Sequence, residues 1–112
     1  MKLKDSNNSK STAMASITSI ALSGMNAAQT QLNVSAHNIA NTNTAGFKRQ
    51  EVTQTAQAQG GVSAAVDTAE VAGSALLTDV VTQLQAKHAF IANLAVFKTQ
   101  DKIAGALLDQ SA

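Results

Sequence analysis

Residues 16–47, SITSIALSGMNAAQTQLNVSAHNIANTNTAGF, decide the fold of this chain. Small and apolar side chains recur there in steps of three and four, which is the period of one helix face. That row is Ile17, Ala21, Met25, Ala28, Leu32, Ser35 and Ile39. Ser16 is a suitable N-cap, so we expect a first helix from about Ser16 to Asn41, within a segment of residues 14–41.

The stretch after this helix predicts a turn and a short β-hairpin over residues 42–73. NTNTAG (residues 41–46) stops the helix, since Asn and Gly both tolerate a left-handed backbone. EVTQT (residues 51–55) alternates in polarity as a strand does, and VSAAV (residues 62–66) is its expected return strand. Gly60 and Gly61 between them are a turn signal. Asp67 and Glu70 are read as a cap and a solvated loop rather than as paired catalytic carboxylates.

A second long helix is predicted from Ser74 to about Asp109, within residues 74–112. Leu77, Leu84 and Ile91 recur every seven residues. We expect this row to face Met25, Leu32 and Ile39 in a dry seam between antiparallel helices. The full set of expected inter-helix packing residues is Met25, Leu32, Leu77, Leu84, Phe90, Ile91, Leu94, Phe97 and Leu108.

The predicted fold is therefore mainly α, with two long antiparallel helices in a coiled-coil hairpin and a short β-hairpin between them. About 35 helical residues extend roughly 50 Å at 1.5 Å per residue. Two helices of that length cannot cover each other's apolar faces fully, which predicts contacts with partner chains. Residues 1–13 lack apolar periodicity and are expected to be a disordered tail, or an extension ahead of a natural start at Met14.

Composition excludes several functions for this chain of 112 residues. It has no Cys, so disulfides and thiolate metal sites are excluded. Only 13% of residues are charged, and the net charge is +1 with three aromatic residues in all, which argues against nucleic acid as the main partner. No apolar run is long enough to span a membrane. The N-terminus does not resemble a cleaved signal peptide, so we expect either a cytosolic protein or export by a route that reads none.

Residue types that perform chemistry are sparse and scattered. His37 and His88 are the only histidines, one on each predicted helix and without converging carboxylates. Gly60-Gly61 matches neither GxGxxG nor GxxxxGK[ST]. We therefore expect no enzyme activity, no metal, no cofactor and no small-molecule substrate.

Two stretches of the sequence resemble the flagellar axial proteins, the family of the basal-body rod and the hook. Residues 21–52, ALSGMNAAQTQLNVSAHNIANTNTAGFKRQEV, resemble the N-terminal signature of that family, including its N-I-A-N-x-x-T-x-G-[FY]-[KR] motif. Residues 89–109, AFIANLAVFKTQDKIAGALLD, resemble its C-terminal helix. KRQEV and GGV are most similar to the small proximal-rod proteins. Ala45 stands where the family usually has Pro. The middle segment is short even for a proximal-rod protein, so the chain is either the standard subunit or a shortened paralogue.

The resemblance implies a structural subunit of the rod that assembles through its terminal helices into the axial tube. Implied partners are other rod proteins, copies of itself and the flagellar type III export apparatus, with export to the periplasm-spanning rod and no cleaved signal peptide. The implied assembly motif is Asn38, Ile39, Ala40, Asn41, Thr44, Gly46, Phe47 and Lys48. A non-polymerising regulator or adaptor of axial proteins is the alternative. A small membrane-surface helical protein is a weaker alternative, because the helices lack a polar face rich in Lys and Arg and have no Trp anchors.

The motif residues also have expected physical roles. Asn38 and Asn41 can donate side-chain hydrogen bonds to carbonyls at the end of the helix, where intrahelical partners are missing. Thr44 can bond locally in the turn. Gly46 can reverse the chain, and Phe47 is expected to be the large buried anchor behind the turn.

Overall fold

The computed structural model describes residues 16–109 in full and consists of two long helices joined by a β-hairpin. Its elements are α1 (Lys2–Ala40), β1 (Gln50–Ala56), β2 (Val62–Thr68) and α2 (Leu76–Ser111). The predicted mainly α architecture with an intervening hairpin is confirmed. Ser16 lies inside α1 rather than at its N-cap, because no Gly or Pro precedes it to end a helix. The expected disordered tail of residues 1–13 lies outside the described range.

The hairpin folds back along α1. Its strands are antiparallel, with the register running from Gln50 opposite Thr68 to Ala56 opposite Val62. Gly60 and Gly61 form the turn at φ values of +94° and +89°, a region that favours glycine. A β-carbon on Gly60 would lie 2.8 Å from Cδ1 of Ile20, so the hairpin tip rests directly on α1.

Small residues form the interface between the antiparallel helices α1 and α2. The buried residues in the described range are Ala21, Ala27, Ala28, Val34, Ser35, Asn38, Asp79 and Ala86. Gly24 of α1 lies against Asn93 of α2, and Asn38 bonds to Asp79 at the other end of the pair. The molecule is accordingly long and thin, at 66 × 25 × 15 Å.

The predicted dry seam along Leu77, Leu84 and Ile91 is wrong for a single chain. These side chains are 79%, 54% and 51% exposed. The helices meet instead through their small and polar rows, because those rows let the two backbones approach closely and keep Asp79 paired. A helix this rich in apolar residues offers more than one face with the same period, so spacing alone does not choose between them.

The other expected packing residues divide in the same way. Leu108 is 69% exposed. The remaining members of the set are half-buried: Met25, Leu32, Phe90, Leu94 and Phe97. A packing role for the exposed members stays a prediction. Within the described residues, neither helix is long and apolar enough to cross a membrane.

Candidate assembly site at the end of the first helix

Side chains close the end of α1 by bonding to its last carbonyls. Nδ2 of Asn41 donates to the carbonyl of His37 at 2.8 Å, and Oγ1 of Thr42 donates to that of Ile39 at 2.8 Å. Oγ1 of Thr44 donates to Oδ1 of Asn41 at 3.2 Å. The local bonds predicted for Asn41 and Thr44 are confirmed. The side chains of Asn41 and Thr42 add a second donor to carbonyls that also accept a backbone N–H, from Asn41 to His37 and from Thr42 to Ile39, each at 3.2 Å.

The chain then reverses at Gly46 and returns past the helix end. Gly46 has φ of +71°, and a β-carbon there would meet nothing within 4 Å. Its role is therefore conformational rather than steric. The ring of Phe47 lies 5.3 Å from that of His37 at an interplanar angle of 59°. Phe47 is half-buried rather than the buried anchor expected, because it covers the side of α1 at its last turn, where solvent reaches one face.

Asn38 joins the last turn of α1 to the first residue of β1. Its Oδ1 accepts from the backbone N–H of Gln50 at 2.9 Å, and its Nδ2 donates to the Gln50 carbonyl at 2.9 Å. The buried amide therefore pairs with both backbone groups of Gln50, as a neighbouring strand would. The predicted bond from Asn38 to a helix carbonyl is wrong, since its Nδ2 donates to the Gln50 carbonyl and to Oδ1 of Asp79 instead. This pairing fixes the position at which the hairpin starts.

Asp79, in the first turn of α2, completes the junction. Its carboxylate accepts from Nδ2 of Asn38 at 3.2 Å, from Nε of Arg49 at 3.1 Å, and from Nη2 of Arg49. The two contacts from Arg49 form a forked ion pair, the geometry in which Arg binds a carboxylate most strongly. A negative charge near the N-terminus of a helix is also favoured by the helix dipole.

Burial and charge make this junction sensitive to the loss of either partner. Asp79 is 4% exposed, and the Arg49 side chain is 22% exposed. The hydrogen bond to Asp79 raises the pKa of Arg49 above its ordinary value; burial opposes this, and the charges of Asp79 and Glu51 add to it. Arg49 therefore stays charged at any physiological pH. Asn38, Arg49, Gln50 and Asp79, hereafter the polar junction, tie α1, the hairpin and α2 together.

The sequence analysis missed Arg49 and Asp79 as members of this site. A signal was present, because Asp79 is a single acidic residue among Leu76, Leu77, Val80 and Val81. A carboxylate inside an apolar stretch requires a partner if the helix is buried. Lys48, the last residue of the predicted motif, is exposed and outside the junction.

A second feature is a groove between the hairpin and α2, with α1 as its floor. Its volume is about 480 Å³. The floor contains Gly24, Ala27 and Ala28, which bring no bulk into the groove. Four carboxamides surround it, so we call it the carboxamide groove: Gln31, Gln54, Gln85 and Asn93.

The histidines contribute no further site in the described part of the chain. His37 contacts Phe47, and His88 is exposed on α2. No group of three His, Cys, Asp or Glu side chains within the described residues is arranged to hold a metal ion.

One comparison with known proteins bears on this site. The model of the family described as flagella basal body rod protein matches residues 19–48. The matched segment covers the last half of α1, the turn and Asn38, and it ends just before Arg49. No curated protein matches the chain. The match supports a relationship of this chain to the rod family and a role as a component of the flagellar basal body. It does not distinguish one member of the family from another.

Proposed function

We propose that this chain is a structural subunit of the flagellar basal-body rod, which assembles with other rod proteins and with copies of itself into the axial tube. The observation that carries the proposal is the family match over residues 19–48. That segment contains the last half of α1 and the turn, and its Asn38 holds the first residue of β1 to the helix. A fixed exit angle for the hairpin is what a subunit needs to present the same surfaces in every copy.

The exposed apolar side chains support the proposal that this chain assembles with other chains. Leu77, Leu84 and Ile91 lie along the side of α2 that α1 does not cover. Apolar surface of this extent on a small protein is typical of a contact with other chains. Its burial in an assembly would stabilise the contact by about 25 cal/mol for each Å² removed from water.

Further details of the proposal follow from the sequence resemblance. The chain would be a small proximal-rod protein, exported through the flagellar type III apparatus without a cleaved signal peptide and located in the periplasm-spanning rod. Its work there is structural and uses no catalytic group or cofactor.

Deletion of the gene in its own bacterium tests this function. We expect loss of swimming, restored by the wild-type gene, and purified basal bodies that contain the chain in a fixed ratio to other rod proteins. As a matched control, the deletion strain receives a gene with Asp67→Asn, which changes an exposed hairpin residue outside the polar junction. This variant should restore swimming as the wild-type gene does. Normal swimming after deletion, with no chain in purified basal bodies, would contradict the proposal. Lost swimming without the chain in basal bodies would favour the adaptor instead.

A further inference from the structure

In the described part of α1, residues 16–40, the exposed side carries no Asp, Glu, Lys or Arg. Residues 11–47 contain no Asp, Glu, Lys or Arg. One row of exposed residues in the described part of α1 recurs at helical spacing and is small, polar or apolar; we call this row the outer face of α1: Ser19, Leu22, Asn26, Gln29, Asn33 and Ala36. A helix face that meets only water normally carries charged side chains. This one is suited to burial against another protein, since no ion would have to be desolvated.

The carboxamide groove has the matching chemistry. Its lining contains no charged residue. Asn93 donates to the carbonyl of Ala89 at 2.8 Å. Among the described residues, the side chains of Gln31, Gln54 and Gln85 make no hydrogen bond within the chain. Each of these three amides offers two donors and an acceptor oxygen to an incoming surface.

These free amides restrict what the groove can hold. An apolar helix would bury them without partners, and each unsatisfied amide would weaken the contact. A charged helix would find no opposite charge and would lose its hydration. The fitting occupant is an uncharged helix face of amide, hydroxyl and small side chains. Within the described chain, the outer face of α1 has this composition, whereas the exposed side of α2 carries Leu77, Leu84, Lys87 and Lys98.

We propose that the carboxamide groove of one copy binds the outer face of α1 of a second copy. Asn26, Gln29 and Asn33 would exchange hydrogen bonds with Gln54 and Gln85, and the small floor residues would let the incoming helix approach closely. The inference deepens the proposed function, on which it rests for the claim that copies assemble.

The positions of the two surfaces make the contact repeat. Ala27 and Ala28 are buried at the groove floor, while Asn26 and Gln29 are exposed on the other side of the same helical turns. A copy that receives a neighbour in its groove therefore keeps its own outer face free for the next copy. Contacts between two different patches, repeated in one direction, give an open assembly rather than a closed dimer.

Cysteine cross-linking between full-length chains tests the contact, since the native chain has no Cys. Gln85→Cys chains are mixed with tagged Asn26→Cys or Asn33→Cys chains and oxidised. We expect a disulfide between the groove and the outer face in at least one of these mixtures, because the bond forms only when the Cβ atoms come within about 4.5 Å. Leu84→Cys, on the neighbouring apolar side of α2, is the control and should cross-link to neither. Preferential cross-linking through Leu84→Cys would overturn the proposal.

Sedimentation across a concentration series gives the second test. The Gln85→Lys variant introduces an unpaired charge into the groove and should raise the concentration needed for self-association at least tenfold. Thr68→Lys places the same charge on an exposed hairpin residue outside the groove lining and should leave self-association unchanged. Equal behaviour of Gln85→Lys and the wild type would overturn the groove contact, as would a wild type that stays monomeric throughout. The proposed function would fail separately, in the swimming and basal-body assays.

Discussion

Gly24 of α1 lies directly against Asn93 of α2. A β-carbon at position 24 would be 2.7 Å from both Nδ2 and Oδ1 of Asn93, closer than van der Waals contact allows. The Asn93 amide is held in place by its bond to the Ala89 carbonyl. The pair therefore sets how closely the two helices approach along the middle of the molecule.

A double-mutant cycle on this pair tests that statement. Gly24→Ala should lower the free energy of unfolding by about 1–3 kcal/mol through overpacking, despite the better helix propensity of Ala. Asn93→Ala in the same chain should recover part of the loss, with a coupling of about 0.5–3 kcal/mol as measured by urea unfolding. Gly105→Ala is the control: nothing lies within 4 Å of its β-carbon, so it should stabilise α2 by about 0.5–1 kcal/mol. Additive effects of the two substitutions would mean that Asn93 does not limit the approach.

Removal of one partner of the polar junction should cost more than removal of both. Arg49→Met leaves the buried carboxylate of Asp79 without its cation and should lower stability by about 2–4 kcal/mol, somewhat less than for a fully buried pair because Arg49 is partly exposed. The double variant Arg49→Met, Asp79→Leu should be more stable than Arg49→Met alone. Thermal unfolding of the wild type and these two variants decides this. An equal loss in both single and double variants would show that the ion pair contributes little.

Gly46→Val should separate assembly from helix formation. A β-branched residue at φ of +71° is strained by about 1–3 kcal/mol, so the chain would leave α1 in another direction while the helix itself is unaffected. Circular dichroism should show near-normal helix content, and cells should swim poorly. Gly73→Val is a matched control, since its β-carbon would also meet nothing within 4 Å but its backbone is not at positive φ. Equal swimming of the Gly46→Val and Gly73→Val strains would show that the backbone conformation of Gly46 does not control assembly.

Leu84→Ala should affect assembly and leave the single chain nearly unchanged. Leu84 is 54% exposed, so its truncation should cost well below the 2–5 kcal/mol typical of a buried leucine. A cycle with Leu32→Ala should be additive within about 0.5 kcal/mol. Ala86 is fully buried, and Ala86→Leu should instead cost about 1–3 kcal/mol by overpacking. Strong coupling between Leu32 and Leu84 would place both in one seam after all.

Helix content should depend on protein concentration. The residues buried between the helices are mostly Ala and polar residues, which contribute little apolar area, and long helices depend on packing for their stability. Association would bury the exposed leucines and stabilise the folded form by mass action. Circular dichroism should therefore show more helix at high concentration. A fully helical monomer with a sharp melting transition at micromolar concentration would contradict this prediction.

The sequence predicted the positions of the helices and strands better than it predicted which helix faces pack together. Period, turn residues and the Gly60-Gly61 pair located both helices and the hairpin, because those signals are local. The choice of α2 face was wrong, since Leu77 and Phe90 belong to rows of the same period and only tertiary contacts decide between them. At the site, the local bonds of Asn41 and Thr44 were predictable. The pairing of Asn38 with Gln50 was not, because it depends on where the hairpin returns.

The polar junction also sets the order in which the two helices can come together. Asn38 and Asp79 are 41 residues apart in the chain, and the hairpin shortens that loop further by bringing Gln50 and Thr68 side by side. Pairs farther along the helices, such as Gly24 and Asn93, would close a longer loop if they formed first, at a greater entropic cost. Once the junction has formed, each further turn of α1 meets α2 without a new loop closure. The two helices should therefore pair from the hairpin towards the chain termini. When one terminus of the unfolded chain is released first, from the ribosome or from a pore, α1 and α2 can pair only after the hairpin has been released too.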